Sequence, residues 1–143
     1  MILVDSSVWI DYFNGNKTSQ TDWLDSSLGN IRIIIGDLIL TEVLQGFQND
    51  KDFKIARDIL LGIPFVPMGG QVLALESAMN YRFLRKKGMT VRKTIDVIIG
   101  TFCIHHQLIL LHDDRDFDPM VKFLGLEIIE TNEQVHQSPP RQF

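Results

Sequence analysis

The chain has one cysteine, Cys103. A lone cysteine forms no internal disulfide and builds no thiolate zinc cluster. Within "IIGTFCIHH" it reads as a small core residue. Long apolar runs are missing too, since none approaches the ~20 residues of a membrane span. The first residues, "MILVDSSVWIDYF", lack a basic stretch and reach Asp5 too early for a secretory leader. The expectation is a soluble, cytoplasmic protein with no membrane contact. Positive charge is also scarce. Lys and Arg total 14 against 18 Asp and Glu, for a net charge of −4. That excludes coating of nucleic acid by bulk electrostatics. It does not exclude a nuclease whose acidic residues are neutralised by a bound metal.

What remains is ordinary for one globular domain: 143 residues, 45% hydrophobic and 22% charged. Short apolar runs alternate with helical patterns. "MILV" ends at Asp5 and precedes a helix, "SSVWIDYF", with Ser6 a candidate N-cap. "TSQTDWLDSSLGN" reads as a second short helix closed by Gly29, and "IRIII" as a strand. "LILTEVLQGF" and "DKDFKIARDILLG" are helical. "IPFVPM" carries prolines near both ends, which places it near a sheet edge. "QVLALESAMNYRFLRKK" is a long helix with an apolar stripe at Val72, Leu75, Met79 and Phe83. "TIDVIIGTFCIHH" is apolar almost all round, hence buried. "LILL" and "LEII" are the last strand candidates. The alternation predicts an α/β fold with a mostly parallel sheet, where ligands sit at the carboxyl ends of strands. Residues 1–130 form one domain in this reading, followed by a tail over 131–143.

Several acidic residues fall where that sheet would open. Asp5 follows the first strand and suits either a ligand or a helix N-cap. Glu42 lies roughly 200° from Leu40 around its helix, away from the face of Leu40, Val43, Leu44 and Phe47. It suits either a site or solvent. Asp96 sits among Ile95, Val97, Ile98 and Ile99, where an ionised carboxylate is costly unless paired or bound to metal; a first-turn aspartate favoured by the helix dipole is the alternative. Asp114 and Asp116 follow "LILL", while Asp113 and Asp118 fit ordinary loop and turn roles. At ~5 Å separations and an effective dielectric of ~20, each like-charged pair costs about 3 kcal/mol. A divalent cation would supply the missing counter-charge, and all-oxygen ligands favour Mg²⁺ or Mn²⁺.

The ordered set "ILVDSSVWIDYF", "TEVLQGF" and "TIDVIIGTFCIHHQLILLHDDRDF" resembles the PIN-domain ribonucleases of the VapC toxin type over roughly residues 1–130. The resemblance implies an α/β/α sandwich with a central, mostly parallel sheet of about five strands. It implies Mg²⁺- or Mn²⁺-dependent endonucleolytic cleavage of RNA, with transfer RNA a common family target. A VapB-type antitoxin partner and a homodimer are also implied. The family's four acids fall on Asp5, Glu42, Asp96 and Asp114, as catalytic and metal-binding residues, with Asp116 a companion. Its hydroxyl residue after the first acid falls on Ser6 or Ser7. The family often has Thr or Ser two residues before the fourth acid, where this chain has His112. That departure leaves open whether His112 bonds a phosphate or caps the strand end.

An acidic pocket that handles RNA needs cations at its rim. The stretch "RFLRKKGMTVRK" has six basic residues and no acidic one: Arg82, Arg85, Lys86, Lys87, Arg92 and Lys93. It suits phosphate contacts or a solvated helix C-terminus. Trp9, Tyr12 and Phe13 on the first helix are read as a dimer or antitoxin surface. Two other readings stand beside the nuclease. One is a non-catalytic binding module on the same fold. The other is a phosphotransfer or signalling domain on a flavodoxin-like fold. The second lacks the aspartate expected near "IPFVPMGG", a lysine after "LEII", and an Asp-x-Asp after the first strand.

Overall fold

The computed structural model describes residues 1–131. Four short strands form one sheet: β1 (Ile2–Val4), β2 (Ile33–Gly36), β3 (Phe65–Val66) and β4 (Ile109–Leu111). Their order is β3-β2-β1-β4, and every pairing is parallel. Ile2 pairs with Ile33 on one side and Ile109 on the other. Every residue of β1 and β2 is buried, as expected of apolar strands covered on both faces. The proline-flanked β3 takes the edge, because proline has no N–H for a sheet ladder.

Among the described residues there are seven α-helices, six between the strands and the last after β4. They are α1 (Ser6–Phe13), α2 (Ser19–Ser27), α3 (Asp37–Leu44), α4 (Asp50–Leu61), α5 (Gln71–Lys86), α6 (Thr94–His105) and α7 (Asp118–Leu124). Three of these helices start at a side-chain cap: α1 at Asp5, α2 at Thr18 and α4 at Asn49. Thr18 accepts from the Thr21 N–H while the Thr21 hydroxyl accepts from the Thr18 N–H, and Asn49 caps α4. Helices α1 to α4 pack in one group and α5 to α7 in another. Right-handed crossovers put these groups on opposite faces, giving the α/β/α sandwich. Gly100 lets α6 approach α7 closely, since a Cβ there would run into Met120.

Three expectations need correction. "LEII" is not a fifth strand. It meets β4 at one bridge, Leu110 with Ile128, because only two backbone bonds, Leu110 N–H to Glu127 and Ile129 N–H to Leu110, join the segments. The direction of the α5 stripe, which the sequence left open, is outward. Val72, Leu75, Met79 and Phe83 are 58%, 61%, 67% and 41% exposed, whereas Leu73, Ser77 and Leu84 face the core. Helical periodicity reveals a stripe but not whether it faces inward. Trp9 is core and not surface, with no exposure, stacked 5.9 Å from Phe13. Tyr12 and Phe13 are partly buried against the same core. Thr131, assigned above to the tail, is buried, with its hydroxyl 2.6 Å from that of Ser19; the rest of the tail lies outside the described residues.

Trp9→Ala is therefore expected to cost about 3–5 kcal/mol in urea-induced unfolding. A loss below about 1 kcal/mol would return Trp9 to the surface.

Candidate active site

Sheet topology sets the position of the site. From β1 the chain moves outward through β2 and β3, then returns to place β4 on the other side of β1. The carboxyl ends of β1 and β4 are therefore the switch point, where adjacent loops diverge and leave a crevice. Asp5 ends β1, and its N–H donates to the Leu111 carbonyl of β4 at 2.9 Å. The segment from His112 to Asp118 continues from β4 through a short 3-10 turn, Arg115–Phe117. Asp96, in the first turn of α6, and Glu42 of α3 close the crevice. Carboxylate oxygens of Asp5, Glu42 and Asp96 lie within 4.8 Å of one another. Those of Asp96, Asp114 and Asp116 form a second such group, and Asp96 belongs to both.

Of the two readings of Asp5, the N-cap one is seen directly, and the two oxygens differ. Its Oδ2 caps α1, accepting from the Ser7 N–H at 3.1 Å and the Ser7 hydroxyl at 2.6 Å. Its Oδ1 is buried with no hydrogen-bond partner. Asp114 divides its oxygens the same way. Oδ1 accepts from the Asp116 N–H at 2.9 Å, while Oδ2 lies 3.5 Å from the Lys93 ammonium. Glu42 is half-buried and accepts from the Ser6 hydroxyl at 3.1 Å, so it is not a solvated residue. Ser7 also accepts from the Asp113 N–H at 3.1 Å, tying the β1 and β4 loops together.

The charge balance of this cluster is unfavourable as it stands. Asp5 and Asp96 are each 2% exposed. Burial raises the carboxyl pKa of Asp5 above its ordinary value, opposed by its bonds to Ser7 and reinforced by Glu42. Burial, then the charges of Asp5 and Asp114, raise Asp96 from 3.8 to about 7, with Lys93 pulling the other way. At 4.8 Å two ionised carboxylates repel by about 3 kcal/mol at an effective dielectric of ~20. Asp5 Oδ1 and Asp96 Oδ2 are buried and lack hydrogen-bond donors. An all-oxygen, anionic set with two such oxygens fits a hard divalent cation.

Other residues flagged from sequence fall in distinct places. His112 is 5% exposed, and its Nδ1 accepts from the Asp114 N–H at 3.1 Å, so it braces the turn. Burial lowers its pKa despite the surrounding aspartates, first among them Asp5. Arg82, Arg85, Lys86, Lys87 and Arg92 are exposed on α5 and the loop after it. Of the six basic residues, Lys93 alone pairs with a carboxylate among the described residues. Asp118 is the exposed first residue of α7. Sequence reasoning missed the bridge from Ser7 to Asp113 and placed Lys93 only within a general basic run. The spacing Lys-x-x-Asp in a helix's first turn was the available signal for Lys93.

Fold and site together define a parallel α/β domain with an acidic pocket at its switch point. The sequence profile of the PIN domain matches residues 2–122, and the chain belongs to that family. It is 28% identical over 129 residues to VapC ribonuclease Mb1587 of Mycobacterium bovis, covering 89% of this chain and 96% of that protein. The same values hold for ribonuclease VapC11 of Mycobacterium tuberculosis. Among solved structures it is similar to VapBC2 of Rickettsia felis bound to a promoter DNA fragment. There the TM-score is 0.72 and the identity 16%, over 90% of this chain and 98% of that one. FitAcB of Neisseria gonorrhoeae gives 0.70 and 17%, over 91% and 97%.

The raised Asp96 pKa has a defined effect on stability. Between pH 3.8 and about 7 the folded protein retains a proton that the unfolded chain has lost. This contribution to stability is full below the unfolded value and is lost as pH rises through the folded one. In EDTA the melting temperature should fall across that window, by up to about 1.4 kcal/mol of stability per pH unit. Asp96→Asn should flatten the slope. An equally steep slope in Asp96→Asn would contradict the assignment.

Proposed function

We propose that this chain is a divalent-metal-dependent endoribonuclease, the toxin of a toxin–antitoxin pair. The observation that carries the reading is the convergence of Asp5, Glu42 and Asp96 within 4.8 Å at the carboxyl end of the central strands, with Asp114 and Asp116 adjoining. Curated relatives named as ribonucleases support the activity. Structural relatives that are VapBC complexes support an antitoxin partner of the VapB type. The reading places its action in the cytoplasm, where RNA and antitoxin meet.

Asp5 and Asp96 would be the principal ligands of Mg²⁺ or Mn²⁺, through oxygens that no protein donor satisfies. Asp114 adds a ligand beside Asp96, with Asp116 next to it. Glu42 serves as ligand or general base, oriented by Ser6. When bound, the cation supplies a water of lowered pKa and charge stabilisation for the phosphate oxygens. Ser7 holds the Asp5 carboxylate and the turn after β4 in one arrangement, and His112 fixes Asp114 through its backbone. Such bracing matters because small displacements of reacting groups weaken catalysis steeply. Arg82, Arg85, Lys86, Lys87 and Arg92 offer RNA phosphates a salt-dependent, sequence-tolerant surface.

The homodimer has a surface available in the outward stripe of α5. Its exposed apolar residues would be covered if two copies paired through the same face. A non-catalytic binding role would leave unexplained the buried oxygens of Asp5 and Asp96 that accept no hydrogen bond.

Purified protein should cleave RNA with Mg²⁺ or Mn²⁺ and not with EDTA, and Asp96→Asn should lower the rate about 100-fold or more. Wild-type protein that cuts none of a broad set of RNAs in either metal would overturn the reading. Separately, Leu75→Asp combined with Met79→Asp should convert a dimer to a monomer in light scattering. An unchanged mass would move the dimer to another face.

A further inference from the structure

Lys93 is the N-cap residue of α6 and makes no side-chain capping bond. The start of a helix carries partial positive charge, so a lysine there is opposed by the dipole. Local helix rules therefore do not explain it. Its surroundings do. The ammonium lies 3.5 Å from Asp114 Oδ2 and 4.0 Å from Asp96 Oδ2. Those residues are two of the three in the Asp96–Asp114–Asp116 group. Neither separation is tight. Asp96 Oδ2 remains without a hydrogen bond although it is buried. The Lys93 side chain is 56% exposed, so it can leave for solvent without disturbing the core. Its four-carbon stem gives the ammonium ample reach.

We propose that Lys93 is an internal counter-cation of the metal-free site, which a divalent ion must displace, and that its freed ammonium then receives a phosphate of the RNA. The inference rests on the reading of the carboxylates as a metal site. A dication and an ammonium sharing Asp96 and Asp114 repel each other, so the lysine weakens metal binding while it remains near them. The same charge belongs to the one member of the basic run that pairs with these carboxylates among the described residues. Lys93 would thus stabilise the cluster before the metal arrives and hold substrate afterwards. Removing it should have effects of opposite sign on the two ligands, which a merely structural residue would not produce.

The test is calorimetric titration of Mn²⁺ into RNA-free protein: wild type, Lys93→Gln, Lys93→Arg and Asp96→Asn. Lys93→Gln should bind Mn²⁺ about fivefold tighter or more, as expected for removing one nearby positive charge. Lys93→Arg keeps the charge and should stay close to wild type. With saturating Mn²⁺, Lys93→Gln should also raise the KM for RNA. Equal Mn²⁺ affinity in Lys93→Gln and wild type, with binding lost in Asp96→Asn, would overturn this inference and leave the metal site standing. Tighter Mn²⁺ binding with unchanged KM would overturn the phosphate role. Absence of Mn²⁺ binding in the wild type would overturn the metal reading and this inference together.

Discussion

Repulsion among carboxylates is the constraint on which this structure turns. Asp5, Glu42 and Asp96 are held with oxygens within 4.8 Å of one another, and two of the three are almost fully buried. A chain free to relax would separate them. The sheet does not allow it. Asp5 is fixed by β1 and its backbone bond to Leu111, and Asp96 by the apolar α6 packed beneath it. The stability of that core is what keeps like charges together. One partial remedy is protonation of Asp96, whose pKa burial and its neighbours raise to about 7. A cation is the more complete one.

The way the acids are attached suits a cation. Asp5 and Asp114 each use one oxygen to cap the segment that follows, through the Ser7 and Asp116 N–H groups. Each leaves the other oxygen uncommitted to the backbone. Capping fixes the carboxylate's position with bonds that compensate its burial in part. The orientation of the remaining oxygen is then set before any ligand arrives. Ser6 and Ser7 extend this outward, to Glu42 on α3 and to the Asp113 N–H on the β4 loop. Two adjacent hydroxyls thus link three elements around one crevice.

Much of this was legible in the residues. The strand "MILV" ending at Asp5, the apolar "TIDVIIGTFCIHH" with one aspartate inside it, and "LILL" before an acidic turn each signalled local structure and a shared location. The readings that went astray concern which way an apolar face points. Trp9 was read as surface and the structure buries it, while the α5 stripe was legible without its outward direction. A helical period is the same whether the face meets the core or solvent. Likewise "LEII" has strand composition, yet forms a single bridge, since pairing depends on where the chain emerges from α7. Glu42 was left between site and solvent because its helical angle ignores Ser6, 36 residues away in sequence. Long-range partners of this kind leave no local trace.

The most direct test of the central claim is to locate a cation. Crystals soaked in Mn²⁺ and recorded at the manganese absorption edge should show an anomalous peak in the crevice, coordinated by Asp5 and Asp96. Loss of that peak in Asp96→Asn crystals would confirm the charge requirement. A fully soaked crystal with no peak among these carboxylates, or with the peak elsewhere on the surface, would contradict the account.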